Sequence, residues 1–278
     1  MAYKKILTIQ DISCVGQCSL TVALPILSAC GLETCILPSA VLSTHTGGFS
    51  GFTFRDLTDD MPKIQAHWQK ENIKFSALYT GYLGSAKQID YVKSIAQNCL
   101  ETGGKIIVDP AMADNGKLYF GFDTAFVEKM KELCKIADYV LPNLTESCFL
   151  TGEQYLEIYD EKYIDCVLEK LSALCKDGAT IVLTGIGYTP DKTGVVVYKN
   201  GEKYYYEHEK ISKGCHGTGD IYASAFVGAL TRGKTAETSA KIAADYTVAC
   251  ILDTQNDPSH WYGARFENSL SSLIEALK

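Results

Sequence analysis

Short apolar segments alternate with longer helix-like segments along most of the chain, and this alternation constrains the fold more than any other feature. The first apolar segment covers residues 5–9, and the first helix-like segment runs from about residue 19 to residue 29. Short β-branched runs without polar alternation are typical of strands that are buried on both faces. Strands that alternate with helices predict an α/β fold with a mostly parallel central sheet and helices on both sides.

The alternation continues without an obvious break. A helix predicted over residues 87–101 is expected to end at Gly103-Gly104, and the Asn200-Gly201 pair inside the alternating stretch 194–208 predicts a tight hairpin turn. No Pro/Gly/Ser-rich linker, low-complexity tract or internal repeat separates one part of the chain from another. We therefore expect residues 1–278 to form a single domain.

The charge and the cysteines limit where the protein works and what it binds. A net charge of −7 disfavours binding to nucleic acid or to an anionic membrane surface. No apolar run approaches the roughly 20 residues that a membrane span needs. The cysteines number eleven, an odd count, and they are scattered over a long chain, which argues against a disulfide framework. We expect a reduced, cytoplasmic protein.

Polar side chains follow several of the predicted buried strands. In open parallel sheets, ligands bind outside the carboxyl ends of the strands, so these side chains are candidates for one common site. They are Gln10-Asp11, Asp109, the stretch from Asn143 to Glu146, and Thr184-Gly185.

A glycine-rich turn at Gly217-Thr218-Gly219-Asp220 carries the strongest local signal. Glycines allow the backbone to approach an anion closely, and the free N–H groups of a helix N-terminus stabilise its charge. A carboxylate beside such an anion site can take a proton from an alcohol that attacks phosphorus. The alternative interpretation is an ordinary glycine turn followed by an acidic residue in the first turn of a helix.

Two further carboxylate groups have both a catalytic and a structural interpretation. Asn143 and Glu146 lie on one face of a helix start, where their oxygens suit Mg²⁺; the same pair also matches a variant capping box. Asp109 and Asp114 follow a strand and are suited to bind a metal or to influence a phosphate, but they equally fit a solvated turn.

The segment just before the glycine turn adds candidates for phosphate and substrate contacts. Lys213 can meet a phosphate as a point charge, and Cys215 or His216 can lie beside the substrate. For His216 and His45, the alternative is a hydrogen-bonded loop histidine. Neither Gly-x-Ser-x-Gly nor His-Glu-x-x-His occurs, which argues against a serine hydrolase and a zinc protease.

Taken together, these motifs resemble the pyridoxal (vitamin B6) kinases of the ribokinase-like superfamily in their order and spacing, over nearly the whole chain. The resemblance implies a three-layer α/β/α fold. The motifs that carry it are Ile9-Gln10, Ser43-Thr44-His45-Thr46, Gly81-Tyr82-Leu83-Gly84-Ser85, Asp109-Pro110-Ala111-Met112, Pro142-Asn143-Leu144-Thr145-Glu146 and Gly217-Thr218-Gly219-Asp220.

The resemblance also implies a reaction, in which ATP phosphorylates the 5′-hydroxymethyl group of pyridoxal, pyridoxine or pyridoxamine. Asp220 would be the base, and Gly217, Thr218 and Gly219 would hold the γ-phosphate. Asp109 and Glu146 would organise Mg²⁺. Further residues implied to border ATP are Asp114, Tyr119, Asn143, Thr184, Gly185, Lys213, Gly214, Cys215 and His216.

The pocket for the pyridine ring departs from the family pattern. Thr46, Gly47 and Tyr82 are implied as ring contacts, but the family's Ser-His after Ile-Gln is replaced here by Asp11-Ile12-Ser13. Either Asp11 pairs with a protonated ring nitrogen or Ser13 takes the ring contact.

Two alternatives and two implications remain beside this hypothesis. A hydroxymethylpyrimidine kinase of the same fold would differ in the ring pocket and not in the chemistry. A sensor that binds a vitamer or a nucleotide without catalysis would be expected to have lost Asp220 or the glycine turn. The resemblance also implies a homodimer and a monovalent cation as an additional cofactor.

Overall fold

One sheet runs through the middle of the protein. The computed structural model describes residues 4–211 and 214–278, so that Lys213 is the one predicted site residue outside the described part. The strands, in chain order, are β1 (Lys5–Ser13), β2 (Glu33–Leu42), β3 (Phe54–Asp56), β4 (Phe75–Thr80), β5 (Leu100–Val108), β6 (Ala113–Asp114), β7 (Lys117–Leu118), β8 (Tyr139–Val140), β9 (Thr180–Ile186), β10 (Lys192–Lys199) and β11 (Glu202–Glu209).

Helices connect most of the strands and close the chain. They are α1 (Leu20–Ala29), α2 (Met61–Lys70), α3 (Ala86–Cys99), α4 (Thr124–Cys134), α5 (Leu144–Thr151), α6 (Glu161–Leu174), α7 (Thr218–Thr231), α8 (Ala236–Thr254) and α9 (Leu270–Ala276), with 3₁₀ turns at Pro258–His260 and Glu267–Ser269. Across residues 4–211 and 214–278, none of these helices combines the length and the apolar character that crossing a bilayer demands.

The sheet order is β11-β10-β9-β8-β5-β4-β1-β2-β3. The six strands β9, β8, β5, β4, β1 and β2 are parallel to one another. The strands β10 and β11 at one edge, and β3 at the other, are antiparallel. The strands β6 and β7 form a small separate hairpin. The predicted mostly parallel sheet is therefore confirmed.

Two apolar clusters pack on opposite faces of this sheet. On one face, β1 contributes Leu7 and Ile9 to a cluster with side chains from α2 to α6. On the other face, β1 contributes Ile6 to a cluster with α1, α7, α8 and α9, including Phe226. Successive side chains of a strand point to opposite faces, so a strand that is apolar at nearly every position must be covered on both sides. The three-layer α/β/α architecture is confirmed.

Local sequence signals set most of the element ends. Asn200 and Gly201 both have positive φ angles, 52° and 84°, and they close the β10–β11 hairpin as predicted. The predicted end of the third helix was wrong by a few residues. Helix α3 ends at Cys99, and Gly103-Gly104 lie inside β5 and do not stop the helix. The backbone of Leu100 is already extended because this segment pairs with β4 at Phe75.

The end of α1 packs closely on α7, the helix that begins beside Asp220. A Cβ atom placed on Gly228 would lie 2.3 Å from the Sγ of Cys30, and both residues are buried. Only glycine at position 228 permits this approach of the two helices without displacement.

Gly228→Ala is therefore expected to lower the free energy of unfolding by about 1–3 kcal/mol, because overpacking outweighs the better helix propensity of alanine. Chemical denaturation of the variant and the wild type measures the difference. The same substitution in a Cys30→Ala background should cost less, because the clashing sulfur is gone. A Gly228→Ala protein at least as stable as the wild type would contradict this account of the contact.

Candidate active site

The carboxyl ends of the parallel strands bring the predicted polar clusters to one edge of the sheet. Asp109 follows β5, and its N–H donates to the carbonyl of Thr80 at the end of β4 (3.0 Å). Asn143 follows β8 and forms a bridge with Thr184 of β9. Adjacent strands thus place Asp109, Asn143 and Thr184 side by side, as the sequence predicted.

The glycine turn opens helix α7 next to this edge. Gly217 adopts the left-handed conformation (φ 77°), and a Cβ atom there would lie 1.8 Å from the carbonyl oxygen of Gln17. Within residues 4–211 and 214–278, no side chain caps the start of α7, and a Cβ atom on Gly219 would meet nothing within 4 Å. A helix start without such a cap leaves its first N–H groups available to an anion.

The half-buried carboxylate of Asp220 lies in the first turn of α7. Burial raises its pKa to about 7, a hydrogen bond from the backbone of Ser19 acts to lower it, and the charge of Asp11 raises it further. A carboxylate with this pKa is about half ionised at neutral pH and is a much stronger base than a surface aspartate.

Ser19 links the two acidic groups of this region, and the sequence reasoning did not identify it. It has φ 56°, an uncommon conformation for a non-glycine residue. Its backbone bonds Asp220, and its hydroxyl bonds Asp11. Its only signal in the sequence is its place at the start of the first predicted helix.

Cys18 is another neighbour that the sequence reasoning missed. Burial raises the pKa of its thiol, and the charges of Asp220 and Asp11 raise it further. Cys18 therefore remains a neutral thiol and not a nucleophile.

Asp11 and Ser13 form a pair at the carboxyl end of β1. The register of β1 against β2 shifts between Gln10 and Ile12, so Asp11 occupies an irregularity in the strand. The hydroxyl of Ser13 donates to Oδ2 of Asp11 (3.0 Å), and both residues are buried. Burial raises the pKa of Asp11, and the hydroxyls of Ser19 and Ser13 counteract the rise. The two alternatives for the ring contact thus share one location.

The loop of residues 43–53, which we call the substrate loop, holds two other predicted ring contacts. Thr46 is exposed and Gly47 is half-buried. The third predicted contact, Tyr82, follows β4, and its ring stacks on Phe122 with 5.4 Å between centroids. Burial raises the pKa of Tyr82, and Asp11 is the first charged group that adds to the rise. Tyr82 therefore lies in the electrostatic range of the Asp11–Ser13 pair.

Asn143 and Glu146 form a complete capping box at the start of α5. The side chain of Asn143 accepts from the N–H of Glu146, and the carboxylate of Glu146 accepts from the N–H of Asn143, both at 2.9 Å. Glu146 also accepts from the N–H of Met112 (3.0 Å). Burial raises the pKa of Glu146 to about 7, and these bonds from backbone N–H groups act to lower it.

Asp109 is the carboxylate best placed for a cation. Burial raises its pKa well above the usual range, and the neighbouring charges of Glu146 and Asp220 raise it further. Tyr119 belongs to the same electrostatic neighbourhood, since burial and then Glu146 raise the pKa of its hydroxyl. Asp114 is exposed and its side chain bonds Asn115, and its charge also raises the pKa of Glu146 and of Tyr119.

These donors fit Mg²⁺. The half-buried carboxylate of Asp109 and the buried carboxylate of Glu146 repel each other, and a cation would remove that cost. No group of three or more His, Cys, Asp or Glu side chains suited to a metal occurs in the described ranges 4–211 and 214–278. Mg²⁺ is often held by one or two carboxylates, with water and substrate phosphates completing its shell. Both oxygens of Glu146 already accept backbone N–H groups, so Asp109 is the better direct ligand.

The remaining predicted nucleotide contacts line open space around the same edge. Gly185 has φ 74°, and a Cβ atom placed on Gly185 or on Gly214 would meet nothing within 4 Å. His216 is exposed and Cys215 is half-buried, close to the start of α7. The positions of these residues agree with a ligand at this edge. Their individual roles remain predictions.

One phosphate-binding pattern in the chain lies away from this site. Residues 228–235 match Gly-x-x-x-x-Gly-Lys-Thr, the spacing of a P-loop. They form the last turn of α7 and the connection to α8, with no strand before them, and the side chain of Thr235 caps α8. A P-loop needs a strand-to-helix loop that cradles phosphates, so this match is not one.

A mostly parallel three-layer fold with a carboxylate beside an uncapped helix start defines a small-molecule kinase of the ribokinase-like type. A family model described as phosphomethylpyrimidine kinase matches residues 24–263. The chain belongs to this family, which places it among the pyridoxal and hydroxymethylpyrimidine kinases.

Individual relatives carry both substrate names. A Bacteroides thetaiotaomicron structure, provisionally described as a phosphomethylpyrimidine kinase, is 35% identical and has a TM-score of 0.93, covering 98% of this chain and 94% of that one. Pyridoxal kinase from Lactobacillus plantarum is 31% identical with a TM-score of 0.91, covering 98% and 97%. Pyridoxal kinase from Dictyostelium discoideum is 26% identical over 83% of this chain and 80% of its own length.

The contact of Gly217 with Gln17 leads to a stability prediction. Gly217→Ala is expected to lower the free energy of unfolding by about 1–3 kcal/mol, because alanine disfavours this φ and its Cβ would clash with the carbonyl. Gly214→Ala is the matched control and should change stability by less than about 0.5 kcal/mol, since the position is open. Equal values for both variants in chemical denaturation would show that the turn is not constrained as described.

Proposed function

We propose that this protein transfers the γ-phosphoryl group of ATP to the 5′-hydroxymethyl group of a B6 vitamer: pyridoxal, pyridoxine or pyridoxamine. The observation that carries the proposal is the half-buried Asp220, with its pKa of about 7, beside the uncapped start of α7. A base and an anion site within one helical turn match the needs of phosphoryl transfer to an alcohol.

The choice of a B6 vitamer is supported by the ring pocket and by one relative. The Bacteroides thetaiotaomicron protein, 35% identical to this chain, was also crystallised with pyridoxal. In this chain, Asp11 and Ser13 offer a carboxylate and a hydroxyl at one point of the pocket. A carboxylate can pair with a protonated pyridine nitrogen, while the hydroxyl orients the carboxylate.

The residues have separate tasks in the proposed reaction. Asp220 accepts the proton of the 5′-hydroxyl group as its oxygen attacks the phosphorus atom. The N–H groups at the start of α7 stabilise the charge that spreads over the transferred phosphoryl oxygens. Asp109 and the Glu146 charge would hold Mg²⁺, which when bound supplies positive charge to the phosphates. Thr184, Gly185, Gly214 and the Cys215-His216 pair border the nucleotide.

A second candidate is the phosphorylation of hydroxymethylpyrimidine. The family model is described as phosphomethylpyrimidine kinase, and a Bacillus subtilis relative named hydroxymethylpyrimidine/phosphomethylpyrimidine kinase is 26% identical over 78% of this chain. Both substrates present a hydroxymethyl group on a nitrogen ring, so the chemistry at Asp220 is the same. The sensor hypothesis is the weaker one, because both Asp220 and the glycine turn are retained. A homodimer, a monovalent-cation requirement and a cytoplasmic location remain predictions.

The proposal is tested by ADP release in a coupled assay with pyridoxal, pyridoxine, pyridoxamine and hydroxymethylpyrimidine as acceptors. We expect turnover with the vitamers and higher kcat/KM for them than for the pyrimidine. The reverse order would assign the protein to the second candidate. Binding of a vitamer without any ADP release would support the sensor.

Asp220→Asn is expected to keep the fold and to lower kcat by a factor of about 10² or more, because asparagine has nearly the same size as aspartate but cannot act as a base. Asp165→Asn on the surface of α6 is the matched control, and its turnover should equal that of the wild type. A near-normal kcat in Asp220→Asn would remove Asp220 from its proposed role.

A further inference from the structure

His45 is a buried histidine whose two ring nitrogens both have backbone partners. Its Nε2 lies 2.5 Å from the carbonyl oxygen of Tyr262, and its Nδ1 lies 3.0 Å from the N–H of Gly47. Tyr262 belongs to the segment of residues 255–266, which we call the C-terminal loop. One ring therefore joins the substrate loop to the C-terminal loop, which lies more than 200 residues away along the chain.

These partners fix the protonation state of the ring. A carbonyl oxygen only accepts hydrogen bonds, so Nε2 must carry a hydrogen and donate it to Tyr262. A backbone N–H only donates, so Nδ1 must be without a hydrogen to accept from Gly47. Only the neutral Nε2–H tautomer makes both bonds.

Further contacts place His45 where four loops meet. Its own N–H donates to the carbonyl of Val15 (3.2 Å), in the loop after β1. Gly16 in that loop leaves room for the ring, since a Cβ atom there would lie 2.1 Å from Cδ2 of His45. The ring of His216, just before the glycine turn, lies 5.3 Å away, and the carbonyl of His216 accepts from Ala264 of the C-terminal loop.

The charge environment keeps the ring neutral. Burial lowers the pKa of His45, the hydrogen bond to the Tyr262 carbonyl counteracts this, His216 lowers the pKa further, and Asp11 raises it. With a pKa below the usual value, the ring remains unprotonated at neutral pH. The bond to Gly47 is then intact, because protonation would place a hydrogen on Nδ1 opposite the N–H of Gly47.

We propose that His45 is a positioning residue for the acceptor substrate, which acts by fixing the backbone at Gly47 against the C-terminal loop. The inference rests on the proposed function for the identity of the acceptor. Thr46 and Gly47 are the predicted ring contacts of this loop, so a change in their position alters acceptor binding. The predicted nucleotide contacts after β8 and β9 have no bond to His45 among the described residues, and they should be unaffected.

Two substitutions separate the two bonds. In His45→Asn, the amide oxygen can replace Nδ1 as the acceptor for Gly47, while the bond to Tyr262 is lost. In His45→Gln, the longer amide can reach Tyr262, while the bond to Gly47 is lost. His45→Ala removes both, and His67→Gln on the exposed face of α2 is the matched control.

Each single-bond variant is expected to raise the KM of the acceptor about 3- to 10-fold, and His45→Ala more than either, in line with one or two lost hydrogen bonds. The KM of ATP should change less than about twofold in all of them. Steady-state kinetics with the acceptor that the wild type phosphorylates give these values. An unchanged acceptor KM in His45→Ala, or equal rises in both KM values, would overturn the proposal.

The tautomer can be tested without turnover. Nitrogen-15 NMR of the histidine rings, with His45→Gln for assignment, should show a neutral Nε2–H ring with an unprotonated Nδ1. An Nδ1–H tautomer or a charged ring at about pH 7.5 would overturn the proposal on its own. If the wild type phosphorylates none of the vitamers or the pyrimidine, the proposed function fails, while the NMR result still decides the state of His45.

Discussion

The chemistry of the site depends on the carboxylate of Asp220, and three influences of opposing sign set its pKa. Burial and the charge of Asp11 favour the protonated acid, while the hydrogen bond from the backbone of Ser19 favours the anion. The result is a base that is ionised to a useful extent at neutral pH and still strong enough to accept a proton from an alcohol. Ser19 bonds both Asp220 and Asp11, so the irregular end of β1 and the start of α7 form one unit.

The presence of several acidic groups at the neighbouring strand ends is explained by the ligands that would bind there. The charges of Glu146 and Asp220 both raise the pKa of Asp109, in a protein that already carries a net charge of −7. The uncapped N–H groups of α7 provide part of the compensation. A cation at Asp109 would supply the rest and would also offset the negative charge of the nucleotide phosphates, which agrees with a kinase that uses backbone and metal charge instead of an arginine cluster.

Much of the fold was accessible from the sequence, because short runs such as residues 5–9 are rich in β-branched and other apolar side chains, which predicts strands that are covered on both faces. The strand-end rule also located Asp109, Asn143 and Thr184 correctly at one edge, and the glycine turn located Asp220 at the start of a helix. Ser19 and the link from His45 to Tyr262 were not predictable, because they depend on backbone angles and on contacts between distant segments. The Asn143–Glu146 pair had two interpretations in the sequence, and the structure shows that the capping box is formed, while a role of the pair at Mg²⁺ remains a prediction.

The pH dependence of kcat/KM for the acceptor, measured with the wild type and Asp11→Asn, tests the central role of Asp220 most directly. Protonation disables the base, so kcat/KM should fall as the pH drops through about 7, the pKa of Asp220 in the free enzyme. Because the charge of Asp11 raises that pKa, the fall in Asp11→Asn should move to lower pH. A profile that is flat between about pH 5.5 and 8.5, or that does not move in the variant, would contradict the account.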